Sequence, residues 1–498
     1  MARITVIEKG LISIIESDPG RNLLEILRDN GISIYSPCGG NGKCGKCRID
    51  IKGEGTVTAC SYRLRNDIEI VLPDERELSI LDAQGQHTRE VIFDPGPSVN
   101  LSDTPYGVAI DIGTTSLVFY LVNLSTGQLV ETRSMMNPQT KYGGDVISRI
   151  NYCQQYPEGL DRLQKEILGA INSQLGHFAS MANISENDIV KITAAGNTTM
   201  LHLLLGVNPA SIAMAPFTPV FTEEKKMTGR ELQLHCHSRA MITILPSIAS
   251  YVGADIVSGI ASLQTTDEVK NALYLDIGTN GELALVTPEG ILCCATAAGP
   301  AFEGANISCG MGAVEGAISS FESGRFRTIG EVPPMGICGS GLIDLIAHLI
   351  DTQQVDHTGF MKKDYQVAGP NASGTGAPIF ITQKDIREVQ LAKAAIAAGI
   401  KILIKEAKLG FNDIDRLYLA GGFGNYIHAD HAFVIGLLPA GLKGKVTAVG
   451  NAAGTGTILA LNSVHFDEHI KQVLKSAEYI ELSFRDDFNI EFAMQMNF

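Results

Sequence analysis

A chain of 498 residues that is 45% apolar and 19% charged can bury substantial cores, about two to four domains, and is not disordered in composition. Its net charge of −15 argues against nucleic acid as a partner, because a phosphate backbone demands clustered Lys and Arg. No apolar run approaches the roughly 20 residues that cross a bilayer, and the start MARITVIEKG lacks the apolar block of a secretory leader, so a cytoplasmic protein without a membrane partner is expected.

In chain order, ITVIEKGLISIIES predicts two short strands around Glu8–Gly10. Asp18-Pro19 then caps a helix through NLLEILRDNG, which Gly31 ends. Next, Cys38, Cys44 and Cys47 follow the spacing C-x5-C-x2-C inside PCGGNGKCGKC, and Cys60 stands alone in TVTACSYRL. Glycines at 39, 40, 42 and 45 let the backbone fold tightly over a small inorganic core and aim amide groups at its sulfurs. A structural zinc site favours two short C-x2-C pairs. Three ligands in one loop with a distant fourth is the arrangement of plant-type [2Fe–2S] ferredoxins. The segment 1–75 resembles a β-grasp ferredoxin, which implies cluster ligation by these four cysteines. It departs from the plant pattern by one extra residue between the first two cysteines and by a short interval to the fourth. Lys43, Lys46, Arg48 and Lys52 crowd the same loop, either as a solvated basic surface or as a docking rim for an acidic redox partner. The other cysteines are scattered among small or apolar residues, as buried structural thiols are.

Residues 76–104 have weak periodicity and end in DPGPS and TP, which reads as a linker with one short helix near Leu78–Ala83. Beyond it lies an internal repeat, with a first half over 105–265 and a second over 266–498. VAIDIGTTS (108–116) and LDIGTNGE (275–282) each end an apolar strand in an acidic residue followed by glycine and by hydroxyl or amide side chains. VKITAAGNTTM (190–200) and DRLYLAGGFGN (415–425) each place an apolar strand before an Ala-Gly loop. Asp111 and Asp276 are suited to a magnesium ion, directly or through water, since hard cations choose carboxylate oxygen. Gly113 and Gly278 allow close backbone approach, and Thr114, Thr115, Thr279 and Asn280 offer donors to phosphate oxygens.

This duplicated outline resembles the acetate kinase, sugar kinase, heat-shock ATPase and actin superfamily. The resemblance implies an ATP site, with Gly421, Gly422 and Gly424 of AGGFG as its adenosine motif and GNAAGTGT (450–457) as its second connecting helix. Between these motifs, CCATAAGPAFEGANISCGM (293–311) is a long small-residue loop of the kind that serves function. Gly339 and Ser340 open a helix in ICGSGLIDLI, either as a phosphate site or as a cap with close packing. VQLAKAAIAAGIKILIKEA (389–407) reads as a core helix.

A cysteine loop joined to LDIGTNGE, AAGPAFEGANISCGM, ICGSGLIDLI and YLAGGFGNYI resembles the reductive activators of corrinoid-dependent methyltransferases, over nearly the whole chain. The resemblance implies recovery of Co(I) from an inactive Co(II) corrinoid protein by one electron from the [2Fe–2S] cluster, driven by Mg-ATP. A low-potential donor of ferredoxin or flavodoxin type resupplies that electron. Plant-type clusters sit near about −400 mV, so the transfer is expected to run uphill without ATP. The 293–311 loop is the expected contact with the cobalt centre, through the hydroxyls of Thr296 and Ser308. Glu282 or Glu303 is expected to position the attacking water. Only the short linker precedes VAIDIGTTS, so a middle domain that some members carry is expected to be absent or vestigial, which leaves a homodimer open. The competing readings are a small-molecule kinase with an appended ferredoxin domain, a [4Fe–4S] dehydratase activator, and a redox-sensing actin-like scaffold.

Overall fold

The computed structural model describes residues 1–8, 11–32, 34, 36, 40, 42, 47–72, 101–263, 269–424, 426–463 and 465–498. Cys38, Cys44, Lys43, Lys46 and the linker with its expected short helix therefore lie outside the described residues, apart from the linker's last residues.

The N-terminal strands Ala2–Glu8 and Leu11–Ser17 pair antiparallel, and Ala2–Glu8 pairs parallel with Ile68–Val71. Arg48–Ile51 and Gly55–Thr58 complete a five-stranded sheet in the order second, first, fifth, third, fourth. The helix Leu23–Asp29 closes over it, burying Leu23, Leu24, Ile26 and Leu27, each worth about 1.5–3 kcal/mol of transfer free energy. Its cap is Asn22, whose side chain accepts from the Glu25 amide, and not Asp18 as the sequence suggested. An Asn side chain reaches back to the first-turn amides from the residue before the helix, whereas Asp18 lies four residues too early. Gly31, at φ +77°, follows the helix end in the conformation that a glycine tolerates best.

The large region contains two six-stranded sheets of matching plan. In the first, Tyr106–Ile112 pairs antiparallel with Ser116–Asn123 and parallel with Ile189–Gly196. In the second, Ala272–Ile277 pairs antiparallel with Gly281–Thr287 and parallel with Arg416–Ala420. The register places Asp111 opposite Val118 and Ala195, and Asp276 opposite Glu282 and Ala420. Each aspartate therefore ends the central strand of its own sheet. The helices Ala254–Ser262 and Ala452–Asn462 pack across the junction. Gly456 there leaves no room for a Cβ beside the Ser258 carbonyl, so the small residues of this helix serve backbone contact. The helix Gln383–Glu406, which contains 389–406, is buried along most of its length, as a core helix should be. No helix among the described residues is long and apolar enough to cross a membrane.

The small domain rests on the first half. Ser36 Oγ donates to the Lys141 carbonyl at 3.1 Å, Arg28 donates to Ser36 Oγ at 2.7 Å, and the Arg28 guanidinium stands 5.7 Å from the centre of the Tyr142 ring. The segment it touches is anchored to the first glycine-hydroxyl loop: the Asn137 side chain donates to the Gly113 carbonyl and its amide to the Thr115 carbonyl, both at 2.9 Å. Just after the strand Arg48–Ile51, exposed Lys52 is paired with Glu69 at 2.8 Å, which favours a solvated surface for that lysine.

Candidate nucleotide and iron–sulfur sites

Strand ends aimed at one another create a cavity of about 290 Å3 between the halves. Asp111, Gly113, Thr114 and Thr115 line it from one side. Asp276, Gly278, Thr279, Asn280, Glu282, Gly339, Ser340 and Gly421 line it from the other. Gly421 has φ +82°, and a Cβ there would meet the Asp276 carboxylate at 2.5 Å, so glycine is required by both conformation and space. Gly424 instead backs onto Leu419 and is not among the lining residues, and the lining from this part of the chain includes Gly421 and Tyr426. Gly422 lies in the same turn, Gly421–Gly424. The helix that starts at Gly339 has no side-chain cap. Ser340 spends its hydroxyl on the Ser319 carbonyl at 2.7 Å, which leaves the first-turn amides to serve an anion.

The sequence reading missed four participants. Asp255 joins Asp111, Asp276 and Glu282 in the cavity from the first turn of Ala254–Ser262. Asn451 caps the symmetry-related helix and donates to Asp111 at 2.8 Å. Asn197 donates to Thr114 Oγ1 at 2.8 Å. Buried Arg149 holds the first loop from behind, donating to the Thr114 carbonyl and, at 2.8 Å, to the Gly143 carbonyl. Burial lowers its pKa to about 9, which leaves it cationic at neutral pH. The signal available for Asp255 and Asn451 was symmetry: each stands one or two residues after a glycine at the start of a connecting helix.

Crowding sets the electrostatics. Burial, with Asp111 beside it, raises Asp276 to about 7, and burial with Asp111 and Asp276 raises Asp255 to about 8. Burial, with Asp255 and Asp276 beside it, holds Glu282 well above the usual carboxylate range. Such a group of carboxylates in a partly dry cleft fits a hydrated divalent cation, the hard-ion chemistry that Mg2+ supplies to a nucleotide.

The 293–311 loop divides in its behaviour. Glu303 faces the cavity and accepts a hydrogen bond from Thr115 Oγ1 at 3.1 Å and from Thr279 Oγ1 at 2.6 Å, one hydroxyl from each glycine-hydroxyl loop. Burial raises its pKa. Thr296, expected at the cobalt-facing surface, is only 2% exposed here and donates to the Gly281 carbonyl at 3.1 Å, so in this arrangement it braces the second glycine-hydroxyl loop from within. Ser308 is exposed but held: its amide and hydroxyl both reach Asp385, at 2.7 and 3.0 Å.

In the small domain Cys47 is buried, Cys60 is partly exposed, and the Cys60 amide donates to Cys47 Sγ at 3.4 Å. An amide aimed at sulfur supports thiolate charge, which fits an iron–sulfur ligand. By contrast, burial pushes Cys153 up to about 11, and Cys236 and Cys293 up to about 12, as expected of inert structural thiols.

Comparison with known proteins agrees with this architecture. Residues 6–70 match the 2Fe-2S iron-sulfur cluster binding domain, 106–268 the RACo middle region, and 270–498 the C-terminal domain of RACo, the ASKHA domain. The middle region is therefore present, and it occupies the first of the two halves. This corrects the expectation that it is absent or vestigial. The corrinoid activation enzyme RamQ of Eubacterium limosum is 30% identical, with 91% of this chain and 92% of that protein covered. The [Co(II) methylated amine-specific corrinoid protein] reductase of Methanosarcina barkeri is 25% identical over 79% of this chain and 77% of that one. A solved structure titled as a reductive activator for corrinoid, iron-sulfur protein superposes with TM-score 0.74 and 29% identity, covering 100% of this chain and 98% of that chain. With its cysteine-bearing N-terminal domain and paired acidic-glycine-hydroxyl loops, the chain belongs to the RACo family of reductive activators of corrinoid proteins.

Proposed function

We propose that this protein is an ATP-dependent activator that passes one electron to a Co(II) corrinoid protein and so restores Co(I). Cys38, Cys44, Cys47 and Cys60 hold the [2Fe–2S] cluster, which supplies the one-electron chemistry. Held there, the cluster would supply the one electron that takes the partner's cobalt from Co(II) to Co(I), and a ferredoxin- or flavodoxin-type donor in the cytoplasm would resupply it. Asp111, Asp255, Asp276 and Glu282 hold hydrated Mg2+, while Thr115, Thr279 and the amides at Gly339 receive the phosphates. The observation that carries the reading is the bridge made by Glu303. Phosphate oxygens need the same hydroxyls that Glu303 occupies, so nucleotide displaces its carboxylate and shifts the 293–311 loop, the proposed cobalt-facing surface. ATP then acts by changing affinity for the partner, which is how a ligand biases an uphill transfer. Glu282, across the strand pair from Asp276, is the candidate to position water. A homodimer is part of the proposal, and sedimentation of the full chain tests it.

The test mixes reduced protein, ATP and Co(II) corrinoid proteins and follows the cobalt absorbance. Co(I) should form only with ATP present. Cys44→Ala should bind ATP yet transfer no electron, and Asp276→Ala should keep the cluster yet lose ATP-dependent reduction. Absence of Co(I) with every partner, from a protein whose cluster is intact, overturns the proposal.

A further inference from the structure

The helix Gly339–Asp351, whose first residues line the nucleotide cavity, carries a carboxylate that the ATP site does not use. The Asp344 side chain is 2% exposed. Its Oδ2 accepts from the Phe321 amide at 3.1 Å, which fixes the carboxylate plane. Its Oδ1 lies 3.0 Å from His428 Nδ1 and 2.6 Å from His431 Nδ1. The two histidines stand three residues apart at the start of Ala429–Val434, a spacing that puts them on one face, and their rings are 80° from coplanar. All three donor atoms lie within 4.8 Å of one another. Among the described residues the ion-pair partners of Asp344 are these two imidazoles, so a buried carboxylate has no Lys or Arg to balance it.

We propose that Asp344, His428 and His431 form a site for one divalent transition ion of the zinc class. Two imidazole nitrogens and one carboxylate oxygen are the donor set of such borderline ions, and three protein ligands leave a position for water. The Phe321 amide is the outer donor that orients the carboxylate. His428 is 55% exposed on its side chain and His431 29%, so an ion enters from solvent and keeps contact with it. The site is chemically separate from the nucleotide cation, whose cavity offers Asp111, Asp255, Asp276 and Glu282, an all-oxygen set that suits Mg2+. Its position gives it a task. Tyr426, two residues before His428, lines the nucleotide cavity, as do Gly339 and Ser340 at the start of the Asp344 helix. A bound ion therefore staples two walls of that cavity together.

The protein with its iron–sulfur cluster in place is dialysed against chelator and then titrated with Zn2+ in nucleotide-free buffer, with metal content and calorimetric stoichiometry as the readouts. The wild type should bind one equivalent with a rise in Tm. The His428→Ala/His431→Ala double variant should lose that equivalent and the rise. Asp276→Asn, altered only in the oxygen-donor cavity, should retain both. Asp344→Asn should also lose the ion; the histidine variant carries the test if this buried change prevents folding. A wild type that takes up no equivalent, or a double variant with undiminished stoichiometry, overturns the assignment and leaves a hydrogen-bonded histidine pair.

Discussion

Thr279 donates a 2.6 Å hydrogen bond to Glu303, and the same carboxylate takes a second, 3.1 Å bond from Thr115 across the cleft. One side chain from the 293–311 loop thus ties both glycine-hydroxyl loops together.

In the proposed nucleotide placement, Glu303 and the terminal phosphates are both anionic acceptors for those hydroxyls, so the glutamate is expected to oppose nucleotide. Glu303→Gln removes the charge, and its amide cannot accept from both threonines equally. ATP should bind about tenfold more tightly, equivalent to about 1.4 kcal/mol, while ATP should have less effect on corrinoid affinity. Titration calorimetry with and without partner measures both; unchanged ATP affinity would show that the bridge does not compete.

The raised carboxylates set a pH dependence. Asp276 at about 7 and Asp255 at about 8 have folded pKa values above those of an unfolded chain, so their stabilising effect is complete in acid and is lost as pH rises through those values. The nucleotide-free protein should lose Tm between pH 5 and 8.5. Mg2+ with ADP needs the ionised carboxylates, so it should bind more tightly as pH rises and restore the lost Tm. Asp276→Asn should flatten the profile of the nucleotide-free protein. Scanning fluorimetry across a pH series, with and without Mg-ADP, checks the sign.

Arg28 links the small domain to the strip beside the first phosphate loop through Ser36 and Tyr142. Arg28→Ala removes a charged donor and the stacking contact, a loss of about 1–3 kcal/mol from the docked arrangement. The variant should show a larger radius of gyration by X-ray scattering, with the cluster spectrum intact. An unchanged scattering profile would mean that other contacts hold the dock.

Thr296 separates a structural hydroxyl from a partner contact. Thr296→Val leaves the Gly281 carbonyl without that donor and should cost about 1–3 kcal/mol of stability, read by denaturant unfolding. Corrinoid affinity at low temperature should stay at the wild-type value. A selective loss of affinity without loss of stability would return Thr296 to the interface.

What the sequence by itself determined was local. The spacing of Cys38, Cys44, Cys47 and Cys60, the acidic-glycine-hydroxyl ends of two strands and the glycines after Ala420 are legible because a strand end, a tight turn and a ligand loop are each written in a few adjacent residues. The two halves were legible too, because each repeats the same strand hairpin followed by a strand and glycine. Tertiary structure alone decided what meets across the cleft. Asn451 reaches Asp111 over 340 residues, Ser36 reaches Lys141 over 105, and Glu303 reaches Thr115 over 188. It also decided that Thr296, equally polar in sequence to Ser308, turns inward because strand register sets it opposite Gly281. Side-chain type and short spacing follow from the chain, but which faces oppose one another depends on how two sheets and their connecting helices pack. That packing brings Asp111, Asp255, Asp276 and Glu282 into one cavity, and Asp344 against His428 and His431 beside it.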